Sequence, residues 1–268
     1  MTRSLPSSRV VAAGFVIIAL IIFGVTYLAF RASSRPAPSH VASLPTSTST
    51  STRTPASGRG SATLDVISGM PVLTIRTGNL GGTLLRVTTP DDAPVRPVLR
   101  GNEAKQAVQL SLASAHEADS HDQSGGTDQQ QDSAYTVSVV LNSAVVWNLN
   151  LGGGTDKTIA DLRGGRVSAV QITAGSDIVD LALPRPASGA RAVPLRLAGG
   201  ASQFLVTVPS GVPTRIAVGG AGEVTVDTRD WTGVAGGTLI TPPDWATATA
   251  RYDIDATAGV SRLLVRTR

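Results

Sequence analysis

Alternating apolar and polar residues run through the second half of the chain and predict short β-strands. The large apolar residues Val179, Leu181 and Leu183 alternate with Asp180 and Ala182, and the same period of two recurs in later segments. Successive side chains of a strand point to opposite faces, so each segment has one apolar face. We expect these residues to face inward: Val179, Leu181, Leu183, Phe204, Val206, Val208, Ile216, Val218, Val224 and Val226. The opposite positions hold Asp180, Thr207, Thr225 and Asp227.

Glycine, often followed closely by serine, separates these segments at similar intervals. The marker glycines recur every 17 to 25 residues, at Gly153, Gly175, Gly200, Gly220, Gly237 and Gly259. A repeat of this length is typical of stacked architectures, in which each unit buries its apolar face against its neighbours. No segment after residue 60 keeps an apolar period of 3.6 over the length of a helix. The pattern predicts an all-β fold, a β-solenoid-like stack of short strands punctuated by glycine.

The β pattern begins before the repeats. Short β-type segments separated by Gly, Ser and Asn occur from residue 62, so we assign residues 62–144 to an N-terminal β region and residues 145–268 to the repeat region. Residues 113–133 interrupt the first region with an acidic, Gln-rich stretch that is nearly free of apolar residues. We expect a long mobile loop there, between two strands.

Residues 10–30 are almost wholly apolar and carry no charge. About 20 helical residues, rising 1.5 Å each, span a bilayer core of about 30 Å. The sequence therefore predicts one transmembrane helix after a short tail of residues 1–9, with the lipid bilayer as its partner and the cell membrane as its location. A cleaved signal peptide is the alternative, but the apolar segment is unusually long for one and no clear small-x-small cleavage site follows it.

Residues 31–61 consist mainly of Ser, Thr, Pro, Ala and Gly. Such a stretch cannot bury enough apolar surface to offset its ordering entropy, so we expect a disordered linker. A Ser/Thr/Pro-rich stalk beside a membrane is typical of the outer face, which favours an extracytoplasmic C-terminal domain. The arginines that flank the apolar segment nearly balance, so a cytoplasmic-facing regulatory domain stays open.

Composition narrows the classes of function. Cysteine is absent, which excludes disulfides, thiolate nucleophiles and Cys-ligated zinc. Aromatic residues make up 4% and charged residues 16%, as in a turn-rich β protein. The net charge is +4, but the positive residues are scattered along the sequence, so we predict no nucleic-acid partner. No phosphate loop or dinucleotide fingerprint precedes a helical pattern, so we predict no cofactor.

Three serines that closely follow glycine are candidate nucleophiles: Ser176, Ser202 and Ser261. None stands in a Gly-x-Ser-x-Gly motif, and a serine nucleophile usually needs a nearby base. The three histidines lie in the predicted linker and loop, at His40, His116 and His121. We interpret the serines as turn residues that bond the local backbone.

A metal site would rest on residues 116–122, His-Glu-Ala-Asp-Ser-His-Asp. These ligand types suit zinc, but the order matches no established zinc spacing, so a solvated acidic loop is the better interpretation. We assign no metal ligands and no catalytic residues.

Paired carboxylates give the strongest argument for an enzyme. Asp253 and Asp255 alternate onto one face of one predicted strand, and Asp227 and Asp230 end another. Glycoside cleavage needs two carboxyl groups about 5–10 Å apart. Neither pair has an evident aromatic and basic platform, so a solvent-facing role is favoured.

Trp231 and Trp245 flank a Pro-Pro turn. Exposed, they would stack on a sugar or rest on a membrane surface; buried, they would cap one end of the stack, which is the interpretation we favour.

Several motifs of the repeat region resemble those of a known family. They are Trp-Asn-Leu-Asn-Leu-Gly-Gly-Gly at 147–154, Ala-Asp-Leu at 160–162, Gly-Ser at 175–176, Leu-Ala-Leu-Pro at 181–184, Gly-Gly-Ala-Ser at 199–202 and Val-Pro-Ser-Gly-Val at 208–212. The chain resembles the toast-rack β-solenoid domains of bacterial adhesin-head and cell-envelope stress-response proteins, and is similar to membrane-anchored versions from high-GC Gram-positive (actinobacterial) bacteria. The resemblance covers residues 62–267, most clearly 145–267. It implies a non-enzymatic, membrane-adjacent module and transfers no binding residues.

Three functions follow as hypotheses. The leading one is a single-pass, membrane-anchored β module outside the cell that acts in binding, as a structural spacer or in envelope sensing, with an envelope glycan or a membrane protein as partner. The alternatives are a surface enzyme that cleaves glycans with a carboxylate pair, and a cytoplasmic-facing regulatory domain. The sequence leaves the ligand and the oligomeric state open.

Overall fold

The computed structural model describes residues 39–45, 60–102, 106–115, 134–189 and 191–268, with only the backbone described for residues 39–45. Its strands in the first part of the chain are β1 (Ser39–Pro45), β2 (Ser61–Val66), β3 (Met70–Gly78), β4 (Thr83–Pro90), β5 (Val95–Asn102), β6 (Ala107–Ser114), β7 (Thr136–Asn142), β8 (Val146–Leu151) and β9 (Thr155–Asp161). The strands that follow are β10 (Arg166–Ile172), β11 (Ser176–Ala182), β12 (Val193–Leu197), β13 (Ala201–Val208), β14 (Thr214–Val218), β15 (Ala221–Val226), β16 (Arg229–Val234), β17 (Thr238–Ile240), β18 (Tyr252–Ala256) and β19 (Val260–Thr267).

The strands form two sheets, which confirms the all-β prediction. Sheet A has the order β1-β4-β7-β3-β9-β11-β13-β19-β15-β16, and sheet B the order β17-β14-β18-β12-β10-β8-β2-β6-β5. No α-helix occurs in the described ranges. The described ranges also contain no helix that is long and apolar enough to span a membrane. The predicted transmembrane helix at 10–30 lies outside them.

The stack is built from rungs, each made of one strand of sheet B followed by one strand of sheet A. The rungs are β2–β3, β6–β7, β8–β9, β10–β11, β12–β13, β14–β15 and β18–β19, and neighbouring rungs pair in parallel. Antiparallel strands close both ends, with β1, β4 and β5 at one and β16 and β17 at the other. Stacked strands are thus confirmed, and both sheets run continuously through the predicted regions 62–144 and 145–268.

Chain order and stacking order differ at two places. The first rung, β2–β3, lies between β6–β7 and β8–β9, and the last rung, β18–β19, lies between β12–β13 and β14–β15. The outermost rungs of the described body are therefore β6–β7 and β14–β15. Each is nearer the middle of the sequence than the rung beside it.

The core lies between the two sheets and consists mainly of aliphatic side chains. Nine of the ten residues predicted to face inward are buried; the tenth, Val226, is half-buried. Trp147, Phe204 and Tyr252 are the largest fully buried side chains of the described residues. The period of two therefore predicted the core correctly, because alternate residues of each strand face the opposite sheet.

Glycine corners join the sheet B strand to the sheet A strand in most rungs, and their carbonyl groups bond across the stack. The Gly154 oxygen accepts from Met70 N–H at 3.0 Å, and the Gly175 oxygen accepts from Thr155 N–H at 3.2 Å. These bonds continue the strand ladders through the bends, so the backbone polar groups of the corners are satisfied.

Strand β1 falls within the predicted disordered linker of residues 31–61. It pairs antiparallel with β4 over its whole length, with one register shift between Leu44 and Pro45. Pairing with an open sheet edge depends on backbone groups rather than on apolar side chains, so composition did not indicate this strand. The predicted loop at 113–133 lies mainly outside the described residues.

Candidate binding surfaces

A continuous row of polar side chains crosses the outer face of sheet B. Strand register places one such residue from each of seven adjacent strands at the same level: Arg100, Gln109, Asp65, Asn150, Gln171, Arg196 and Asp255. We call this row the polar ladder. Neighbouring strands lie about 4.8 Å apart, so the ladder is about 29 Å long.

Some members of the polar ladder bind each other, while others remain available. The Asn150 amide donates to the Asp65 carboxylate at 2.6 Å, and the Arg196 guanidinium contacts the Asp255 carboxylate at 3.3 Å. Gln171 lies between these two pairs and is half-buried. The ladder thus offers amide and guanidinium donors and carboxylate acceptors, held at fixed spacing by the sheet beneath.

A cluster of arginine and tryptophan lies beside the polar ladder at the β14 end of sheet B. The Arg215 Nε donates to the Asp253 carboxylate at 2.9 Å, and a second hydrogen bond joins Arg215 Nη2 to the same carboxylate. The Arg215 guanidinium also lies 4.0 Å from the centre of the Trp245 ring, and that of Arg251 lies 4.7 Å from it. The hydrogen bonds that Arg215 donates to the Asp253 carboxylate raise the pKa of Arg215.

The carboxylate pair Asp253 and Asp255 faces outward, as predicted, but each carboxylate is bound by an arginine of a neighbouring strand. Glycoside cleavage needs one carboxyl group that is protonated and poised to donate. In the second pair, Asp227 and Asp230, the Asp227 carboxylate is already bound. It accepts hydrogen bonds from the Thr267 N–H at 2.7 Å and from the Thr267 hydroxyl at 3.0 Å. Both arrangements favour structural roles for these groups.

The corner between the sheets carries a groove of about 420 Å³ that includes two of the predicted turn serines, Ser176 and Ser202. The Ser176 hydroxyl bonds Thr155 Oγ1 at 2.9 Å and donates to the Ile178 carbonyl at 3.1 Å. Ser176 therefore bonds the local backbone, as expected, but Ser176, Ser202 and Ser261 lie in β11, β13 and β19 rather than in turns. Asp177 and Ser202 line the exposed part of the groove.

The two tryptophans that flank the Pro-Pro turn lie near the β16–β17 end of the stack. Trp231 lies on β16 opposite Val224 and is 36% exposed. Trp245 is half-buried and donates from Nε1 to the Tyr252 carbonyl at 2.9 Å. The Arg215 guanidinium covers part of the Trp245 ring at 4.0 Å, so this ring is not an open platform for a sugar.

The predicted metal-binding stretch, residues 116–122, lies outside the described residues. Among the residues that the structure describes, no group of three or more His, Asp or Glu side chains is arranged to hold a metal ion.

Comparison with solved structures supports the fold. A crystal structure from Clostridium sporogenes, of a protein proposed to act in cell adhesion, matches with a TM-score of 0.61 and 15% sequence identity, covering 86% of this chain and 99% of that chain. A proposed adhesin from Bacteroides fragilis matches with a TM-score of 0.23 and 9% identity, covering 86% of this chain and 97% of that chain. No protein-family model and no curated protein matches the chain.

The polar ladder was not predicted from the sequence. Its members lie far apart in the chain, between residues 65 and 255, and become neighbours only through strand register. The available signal was a polar residue that alternates with apolar residues in each of the seven strands that form the ladder.

Proposed function

We propose that this chain is a non-catalytic binding module, held outside the cell by a transmembrane helix at residues 10–30. One observation carries the binding role: the polar ladder on sheet B. Its donors and acceptors recur at each strand on a rigid sheet. A surface of this kind suits a partner that presents many hydroxyl or amide groups in an extended arrangement, such as an envelope glycan or the polar surface of a membrane protein.

The anchor and linker complete the proposal. The apolar segment would fix the chain in the bilayer, and the Ser/Thr/Pro-rich linker would set the distance that the β body reaches. Toast-rack architecture, a relation to actinobacterial membrane-anchored proteins and a role in envelope sensing are further parts of the proposal. The fold shared with the Clostridium sporogenes protein is compatible with an adhesin-like role.

The first experiment tests topology. Intact cells that express the full chain are treated with protease, and fragments are detected with an antibody against residues 145–267. Release of the β body from intact cells supports the proposal. Protection in intact cells, with digestion after lysis, would exclude an extracytoplasmic role.

The second experiment tests the polar ladder. Gln109→Ala with Gln171→Ala removes two ladder amides, and we expect retention on isolated cell envelopes from the native host to fall about tenfold, from two hydrogen bonds of about 0.7 kcal/mol each. The matched control is Gln203→Ala, which removes an outward-facing amide from the opposite sheet. A role for the ladder would be contradicted if the control lost as much retention as the double variant, or if the double variant lost none.

A further inference from the structure

Arginines that are scattered in the sequence converge on one long edge of the stack. This edge, where the sheet A strands end and the chain crosses to sheet B, we call the arginine edge. Strand register places Arg86, Arg76 and Arg266 at one level of it, on β4, β3 and β19. All three side chains are exposed.

Three further exposed arginines follow just beyond the ends of the strands at this level. Arg163 lies after β9, and Arg185 lies after β11 and donates to the Ser210 carbonyl at 2.7 Å. Arg268 follows β19 and donates to the Leu183 carbonyl at 3.3 Å, across the intervening strand. The six arginines therefore form a row that crosses seven adjacent strands, from β4 to β19, over about 29 Å.

Two aspartates share the level of Arg76, but other groups already hold their carboxylates. Asp161 accepts from Arg163 Nε at 2.6 Å, and Asp227 is bound by Thr267. Hydrogen bonds from Arg163 lower the pKa of Asp161, and the charge of Arg268 adds to this effect. The arginines thus outnumber the carboxylates along the edge, which leaves it positively charged. Asp180 lies two residues before this level, on the outer face of sheet A.

We propose that the arginine edge binds a linear anionic polysaccharide that lies along the stack. The planar guanidinium group donates two parallel hydrogen bonds to a carboxylate, which a row of arginines repeats at successive strands. The length of the row suits a polymer of several charged units rather than a single small anion. Charge complementarity is the basis for this choice of partner.

Two other polyanions fit the edge less well. Membrane surfaces are bound by basic residues together with exposed aromatic or large apolar side chains, and single-stranded nucleic acids are bound with aromatic stacking. The exposed large apolar side chains of the described residues are Ile67, Trp231 and Leu239, and none belongs to the strands or turns that carry the six arginines.

The test measures binding of the full-length chain, in a neutral detergent, to polygalacturonate. Dextran serves as the uncharged control, and single-stranded DNA and anionic phospholipid vesicles are the competing probes. We expect saturable binding to polygalacturonate that weakens with added salt, and tighter binding than to any other probe. Binding to dextran of equal strength, or preference for DNA or vesicles, would overturn the proposal.

Charge-matched variants locate the site. Arg76→Gln, Arg185→Gln and Arg266→Gln together should weaken binding about tenfold, which is roughly twofold for each exposed charge contact. The control, Arg96→Gln, Lys157→Gln and Arg262→Gln, removes the same charge from positions outside both the arginine edge and the polar ladder, and should change binding less than about twofold. Equal losses in both triple variants would mean that net charge alone attracts the polymer, and the edge would be rejected.

A variant that should bind the polymer more tightly tests the edge even if the triple variants fold poorly. Asp161→Asn frees Arg163 and should strengthen polygalacturonate binding about twofold to fivefold; unchanged or weaker binding would count against the edge. Because the assay uses purified chain, its result does not depend on topology. Failure of the protease experiment and failure of this proposal are therefore distinguishable.

Discussion

Gly153 packs against the backbone of Ser68 so closely that a Cβ atom on Gly153 would lie 1.9 Å from the Ser68 carbonyl oxygen. The same relationship recurs between Gly199 and Ala174, at 2.0 Å. Adjacent corners of the stack thus touch through backbone atoms, which cannot move aside without disturbing the strand ladders.

The first prediction concerns these corners. Gly153→Ala or Gly199→Ala should lower the free energy of unfolding by about 1–3 kcal/mol, because the added methyl group forces the corners apart. The control is Gly259→Ala, at a corner where an added Cβ meets nothing within 4 Å. Urea denaturation measures the change through the midpoint at constant m-value. Equal stability of the Gly153 and Gly259 variants would contradict the close packing.

A buried asparagine gives the second prediction. The Asn142 amide donates to the carbonyls of Gly81 and Thr83 at 3.0 and 2.8 Å, and its oxygen accepts from Ala144 N–H at 3.0 Å. Asn142→Ala leaves these groups unpaired and should cost about 2–4 kcal/mol of stability. Asn148→Ala, at a half-buried outward position of sheet B, should cost less than about 1 kcal/mol. A cost of similar size in both variants would argue against the network.

The third prediction separates the two contacts of Arg215. Asp253→Asn weakens the ion pair, and since both side chains are about one-third exposed, the cost should stay below about 1 kcal/mol. Arg215→Ala also removes the contact with the Trp245 ring and should cost about 1–2 kcal/mol. Chemical denaturation gives both values, and tryptophan fluorescence should change in the Arg215 variant. A larger loss from Asp253→Asn than from Arg215→Ala would contradict this division.

The fourth prediction is a pH dependence. Tyr252 is buried and donates to the Pro184 carbonyl at 2.6 Å, and burial raises the pKa of its hydroxyl above the ordinary value of 10.0. The unfolded chain therefore loses this proton first as the pH rises. Its contribution to stability is complete below pH 10 and falls above it, by about 1.4 kcal/mol per pH unit, until the folded-state pKa is reached.

Urea titrations between pH 9 and pH 11.5 measure this slope. Tyr252→Phe should flatten it, even though the variant also loses about 1 kcal/mol at neutral pH with the hydrogen bond to Pro184. Tyr135→Phe should flatten it less: burial also raises the pKa of Tyr135, but its side chain is only half-buried. An unchanged slope in Tyr252→Phe would show that other groups govern alkaline stability.

Local pattern predicted which residues form the core but not which strands become neighbours. Val179 and Phe204 face inward because alternation within a strand is a local property. The insertion of β18–β19 between β12–β13 and β14–β15 left no such signal, because similar rungs have similar edges and their order depends on pairing across long sequence separations.

The same limit applies to the binding surfaces. Arg76 and Arg266 are 190 residues apart in the sequence, yet they occupy one level of sheet A. Arginines that are scattered along the chain are therefore close together in space at this edge. Knowledge of the register would have been needed to see it.

The position of the last rung has a consequence for how the protein is made. Among the described strands, β14 pairs only with β17 and β18, and β15 only with β16 and β19. While the ribosome is still adding residues 252–267, residues 214–240 can form their own antiparallel pairs but lack the strands that link them to the rest of the sheets in the folded body. A premature stop before β18 would therefore remove the rung between β12–β13 and β14–β15. The product would be two separate parts of the body rather than a shorter, continuous domain.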